Sequence, residues 1–95
     1  MAAYIIGRIN IHDAEGYARY TALSPGIIAR HGGRFLVRGG AVETLEGEPF
    51  ESRLVVLEFP SLEAARTFYA SAEYQAAKAI RQPVSDGQFI VVEGA

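Results

Sequence analysis

Apolar and polar positions alternate through residues 4–11, YIIGRINI. Ile5, Gly7, Ile9 and Ile11 fall on one side, and Tyr4, Ile6, Arg8 and Asn10 on the other, which predicts a strand. The period then lengthens. Tyr17, Tyr20, Leu23, Ile27 and Ile28 recur at helical spacing as far as about Arg30, with Asp13 placed to cap the start and Glu15 in the first turn. Pro25 and Gly26 interrupt this pattern, and a proline there is expected to kink or split the helix. Gly32 stands where a helix ends on a left-handed residue.

RFLVR (34–38) reads as a second strand, with Phe35 and Val37 on one face and Arg34, Leu36 and Arg38 on the other. Gly39-Gly40 breaks it, and the pattern is expected to resume over 41–45 after a bend or bulge that aims Arg38. EGEPF (46–50) reads as a turn and RLVVLEF (53–59) as a third strand. Ser61 caps a helix carrying Leu62, Ala65, Phe68 and Tyr69, and Ser71 caps a further helical piece, 72–81, that stops before Pro83. Asp86-Gly87 reads as a turn before a last strand, 88–94.

The order βαββαβ predicts one α+β domain over residues 1–95 with the ferredoxin-like arrangement. Four antiparallel strands then carry the helices on one face. Alternation assigns Ile5, Ile9, Phe35, Val37, Val55, Leu57, Phe59, Ile90 and Val92 to the helix side. The opposite face then holds Ile6, Leu36, Leu54, Val56, Phe89 and Val91, with Arg8 and Arg38 set against Glu58 and Glu93. So much apolar surface predicts that this face meets a second copy of the chain in a homodimer.

Composition narrows the function classes. The chain has 95 residues, a formal charge of −2 and no cysteine, so thiolate metal sites, disulfides and a cysteine nucleophile are excluded. No basic patch suited to nucleic acid is present, and no apolar run is long enough to cross a bilayer. The opening MAAYIIGRINI lacks a basic leader, so a soluble, cytoplasmic protein is expected. No nucleotide loop, hydrolase elbow or zinc motif occurs, and neither a metal nor a cofactor is called for.

The segments YIIGRINIHDAEGYARY, RHGGRFLVRGGAVETLEG, RLVVLEFPSLEAARTFYASAEYQ and VVEG together resemble the uncharacterised-domain family numbered 1330, of the dimeric α+β barrel superfamily. The resemblance runs nearly end to end. It implies a ferredoxin-like subunit whose sheet packs on a second copy, and it implies no particular reaction. Relatives in that superfamily include haem-degrading and antibiotic-biosynthesis monooxygenases and small isomerases. Those monooxygenases commonly use an Asn, Trp and His set, whereas this chain has no tryptophan.

Five residues are candidates for a site. Arg38 beside two glycines is suited to hold a carboxylate or phosphate; its simpler role is an ion pair with Glu58 or Glu93 across a dimer. His31, in the last turn of the first helix, is a candidate proton carrier, or merely a cation favoured by the helix dipole. Tyr17, Tyr20 and Tyr74 suit a pocket wall with polar tips, and equally the edge of a small core. Two functions follow. One is a cofactor-independent enzyme acting on a small organic acid or aromatic in a cleft between sheet and helices. The other is a non-catalytic small-ligand-binding or stress-related dimer. Converging titratable groups would favour the enzyme, and a cavity of tyrosines and aliphatics the binder. A filled cleft would leave a purely structural dimer.

Overall fold

The computed structural model describes residues 1–95. Strand β1 (Ala3–Ile11) leads into helix α1 (Ala14–Arg30), then β2 (Arg34–Arg38) and β3 (Arg53–Phe59). Helices α2 (Leu62–Ala70) and α3 (Ala72–Arg81) follow, and a 3-10 turn (Gln82–Val84) delivers the chain to β4 (Ser85–Glu93). The sheet order is β2-β3-β1-β4 with every neighbour antiparallel, so the βαββαβ reading holds.

Local chemistry accounts for the helix ends. The Asp13 carboxylate accepts from the Glu15 and Gly16 amides, and the Ser61 and Ser71 hydroxyls accept from the Ala64 and Tyr74 amides. At the end of α1, the Gly33 amide donates to the Ile28 carbonyl at 2.9 Å and the Gly32 amide to Ala29 at 3.1 Å. That is a Schellman closure, and it needs the φ of 79° that Gly32 adopts. Helix α1 is not split at Pro25. The lost hydrogen bond costs about 3 kcal/mol. Ile27 and Ile28 are buried just beyond it, and each contributes about 1.5–3 kcal/mol of burial, enough to hold the last turn on the sheet. Leu23, by contrast, points outward.

The core lies between the helices and one sheet face. Ile5, Ile9, Leu57 and Phe59 from the sheet meet Tyr17, Tyr20, Ile27 and Ile28 of α1, Ala65 and Phe68 of α2, and Tyr74 and Ala77 of α3. Phe59, Phe68 and Tyr74 form a chain of rings, with centroids 5.0 and 4.6 Å apart.

Register corrects the assignment of faces. Ile5 pairs with Val91 and Gly7 with Phe89, so Phe89 and Val91 belong to the helix side, while Ile90 and Val92 face away from the helices. The expected turn at Asp86-Gly87 is part of β4, paired with Asn10 and Ile9. In β2, Phe35 stands opposite Leu57 but Val37 opposite Val56, so an extra residue is inserted at Leu36. This bulge lies inside the strand, ahead of Gly39-Gly40. Strand β2 then ends at Arg38, and Gly39 follows it with a φ of 70°. The slip puts Arg38 opposite Val55, on the helix side, and Val37 on the uncovered side. The pattern over 41–45 does not form a strand. That stretch is irregular, and Leu45 is 96% exposed because no neighbouring strand is there to pair with it.

The uncovered face therefore carries Ile6, Leu36, Val37, Leu54, Val56, Ile90 and Val92. Its ion pair is Arg34 with Glu58, Nε donating at 2.6 Å, so Glu58 is already engaged and Arg38 lies on the opposite side of the sheet. Glu93 pairs in register with Ala3, on the helix side.

Candidate ligand site between sheet and helices

A cavity lies beneath α1, over the part of the sheet where Arg38 ends β2 and Arg53 begins β3. Tyr17, Tyr20, Thr21 and Ser24 come from α1, Tyr69 and Tyr74 from α2 and α3, and Gly7, Val55 and Phe89 from the sheet. Arg38 and Arg53 line it too, beside apolar residues of the core. The cavity is about 30 Å³, room for a water or two but not for an organic molecule without side-chain movement.

Three tyrosines form its inner wall. The Tyr20 and Tyr74 hydroxyls share a hydrogen bond of 2.8 Å in a buried setting, and Tyr17 packs on Tyr20 with ring centroids 5.5 Å apart. Burial raises the pKa of the Tyr20 phenol far above its usual value, and the neighbouring Tyr74 adds to the rise. Tyr17 is also raised by burial, with the adjacent Arg53 charge pulling it back down.

The arginines are the unusual feature. The carboxylate contacts of the cations are Arg30–Glu73 and Arg34–Glu58, with His12 hydrogen-bonded to Asp86, so Arg38, Arg53 and Arg81 have no carboxylate partner. They lean on rings instead. Arg38 lies 4.5 Å from the Phe35 centroid and Arg53 5.8 Å from that of Tyr17. Arg81, only 5% exposed, stacks 4.2 Å from Phe89 and 5.6 Å from Tyr20. The Nε atoms of Arg53 and Arg81 are buried without a hydrogen-bond partner. A cation held this way keeps only part of the stabilisation that an anion would supply.

The structure brings four of the five sequence candidates together, Arg38 with Tyr17, Tyr20 and Tyr74. His31 is placed apart from the cavity lining. Its Nδ1 donates to the Ile27 carbonyl at 2.8 Å and its ring meets Phe68 edge-on, 5.8 Å between centroids. The bond to Ile27 places the proton on Nδ1 and leaves Nε2 as the acceptor in the neutral ring.

Sequence reasoning missed Arg53, Arg81 and Phe89. Arg53 shares the parity of Val55, Leu57 and Phe59, and Arg81 follows Tyr74 and Ala77 at helical spacing, so both signals were present. Phe89 was lost to the one-residue error in the phase of β4.

An antiparallel four-stranded sheet with its helices on one face, enclosing a tyrosine-lined cavity, defines a ferredoxin-like α+β domain. Within that class the chain belongs to the family described as domain of unknown function DUF1330, whose model matches residues 2–95. No curated protein matches it. Among solved structures it resembles a protein of unknown function from Rhodopseudomonas palustris, with a TM-score of 0.77 at 22% identity, covering 99% of this chain and 82% of that one. A mutant of SnoaB, a cofactor-independent oxygenase from Streptomyces nogalater, aligns with a TM-score of 0.71 at 15% identity, over 98% of this chain and 92% of that one. A dimeric protein of unknown function and ferredoxin-like fold from Bacteroides fragilis aligns with a TM-score of 0.56 at 17% identity, over 98% and 96% of the two chains. At these identities the likeness establishes the fold. No helix is long and apolar enough to cross a membrane.

Proposed function

We propose that this chain is the subunit of a homodimer that binds a small organic acid, aromatic or otherwise amphiphilic, in the cavity between sheet and helices. The observation that carries the reading is the set of arginines without carboxylate partners around a tyrosine wall. An oxyanion held between Arg38 and Arg53 would supply the acceptor that the Arg53 Nε lacks, and the tyrosine rings would flank an apolar body. Side chains that titrate near neutrality are absent from the lining, which favours binding over acid–base chemistry.

Catalysis without a cofactor on the same acid is the second reading. It is supported by the closeness of Tyr17 to Arg53, whose charge offsets part of the rise that burial imposes on the phenol. His31 belongs to that reading only if its free Nε2 reaches the bound acid. Isothermal titration with benzoate tests the first reading: binding lost in Arg53→Gln supports it, and the absence of any heat from acids of this class overturns it. Mass analysis of the same mixtures tests the second, since an unchanged acid after prolonged incubation excludes turnover.

Homodimerisation belongs to the proposal through the uncovered sheet face. Leu36, Ile90 and Val92 are exposed there, flanking half-buried Ile6, Val37, Leu54 and Val56. They form a patch on the order of several hundred Å², which monomers seldom leave in water. A cytoplasmic location fits this reading.

A further inference from the structure

A second cavity adjoins the first. It lies between α2 and the edge strand β4, measures about 210 Å³, and is lined by Ala65, Arg66, Ala70, Ile90 and Val91 together with Ile5, Tyr69 and Phe89. Those last three residues also line the tyrosine cavity, so the two spaces are neighbours that share part of their walls. An apolar space of about 150 Å³ is enough to accommodate benzene, so the groove takes a ring or a short alkyl chain where the inner cavity takes only water.

Phe89 is the wall. Its ring covers Gly7, where a β-carbon would come within 2.6 Å of it, and the Arg81 guanidinium lies 4.2 Å from the ring centroid. It is half-buried and sits on the edge strand, so a change of side-chain rotamer moves it without breaking a strand pairing on the groove side. The same ring covers Arg81, whose Nε has no partner.

We infer that the site extends past Phe89 into the groove between α2 and β4, and that its ligand is an elongated amphiphilic acid. The oxyanion is held at Arg38 and Arg53, and an apolar body longer than one ring lies between Tyr69 and Val91. This rests on the reading of the arginine–tyrosine cavity as an acid site. The apolar body is either a fused arene or an acyl chain; both offer the same chemistry to the groove.

Titration calorimetry on the full chain with benzoate, 2-naphthoate and decanoate tests the extension. At least one of the two longer acids should bind tenfold or more tightly than benzoate, and which of them does so separates arene from acyl chain. Ala70→Trp should fill the groove and remove that advantage, bringing the longer acids to the affinity that benzoate has in the same variant. Val91→Phe fills the same space from the sheet, so a folding failure in one variant leaves the other to report. Equal affinity for all three acids, or a tenfold advantage that survives both groove variants, would overturn the extension. If Arg53→Gln still weakens benzoate in that case, the acid site stands without the groove. If none of the acids binds, both readings fall.

Discussion

The Tyr20 and Tyr74 hydroxyls meet at 2.8 Å, joining α1 to α3 through a buried hydrogen bond. The pair links the helices that roof the cavity, and it makes the fold sensitive to alkali. Burial holds the Tyr20 proton well above the value of about 10 that the phenol has in an unfolded chain. Its contribution is therefore fully present below pH 10 and is lost as pH rises further, because the unfolded state releases a proton that the folded state retains. Stability should fall by about 1.4 kcal/mol per pH unit above pH 10 for such a group. Denaturant midpoints at pH 8 and pH 11 would measure the fall, and Tyr20→Phe should flatten it. A slope unchanged in that variant would assign the effect elsewhere.

If the uncovered face joins two copies, a charge placed at its centre should separate them. Val56 is half-buried in a row with Ile6, Val37 and Ile90. An unpaired carboxylate buried there costs several kcal/mol, so Val56→Asp should give a monomer at micromolar concentration. Light scattering after size exclusion distinguishes the states. A wild-type chain that elutes as a stable monomer of 10.3 kDa would refute the dimer outright.

Removing Arg38 should affect the ligand and not the assembly, because the bulge turns Arg38 away from the uncovered face. Arg38→Ala is expected to keep the oligomeric state and to weaken benzoate roughly tenfold to a hundredfold, the loss of a charge-assisted bond worth about 1.5–3 kcal/mol. Arg38→Lys should recover only part of this, since the ammonium lacks the planar fork. Should Arg38→Ala instead dissociate the dimer and leave binding intact, the residue is an interface group.

The end of α1 depends on one glycine. Gly32→Ala puts a β-carbon on a residue with a φ of 79°, at a cost of about 1–2 kcal/mol. For a domain of this size that lowers the melting temperature by roughly 5–15 °C. Calorimetry would show it, and a melting point within 1–2 °C of the wild type would mean that the helix end has another conformation available.

The amino-acid sequence alone determined the elements and their order. Alternation in YIIGRINI and RLVVLEF, the capping residues Asp13, Ser61 and Ser71, and Gly32 as helix terminator are local signals acting within a few residues. They sufficed for the fold, and they singled out Arg38, Tyr17, Tyr20 and Tyr74, which come together around one cavity. Only the tertiary structure decided which way several of these residues face. A side chain in a strand changes face with a single-residue slip, and whether a slip occurs depends on the partner strand. The bulge at Leu36 carried Arg38 to the helix side, and pairing of Gly7 with Phe89 carried Phe89 there as well. Pairing also kept Asp86 and Gly87 in the ladder, where their local turn propensity pointed the other way. Arg81 shows the remaining limit. Its place between Phe89 and Tyr20 joins residues from β4 and α1, and only the packing of α3 against both elements brings the three together.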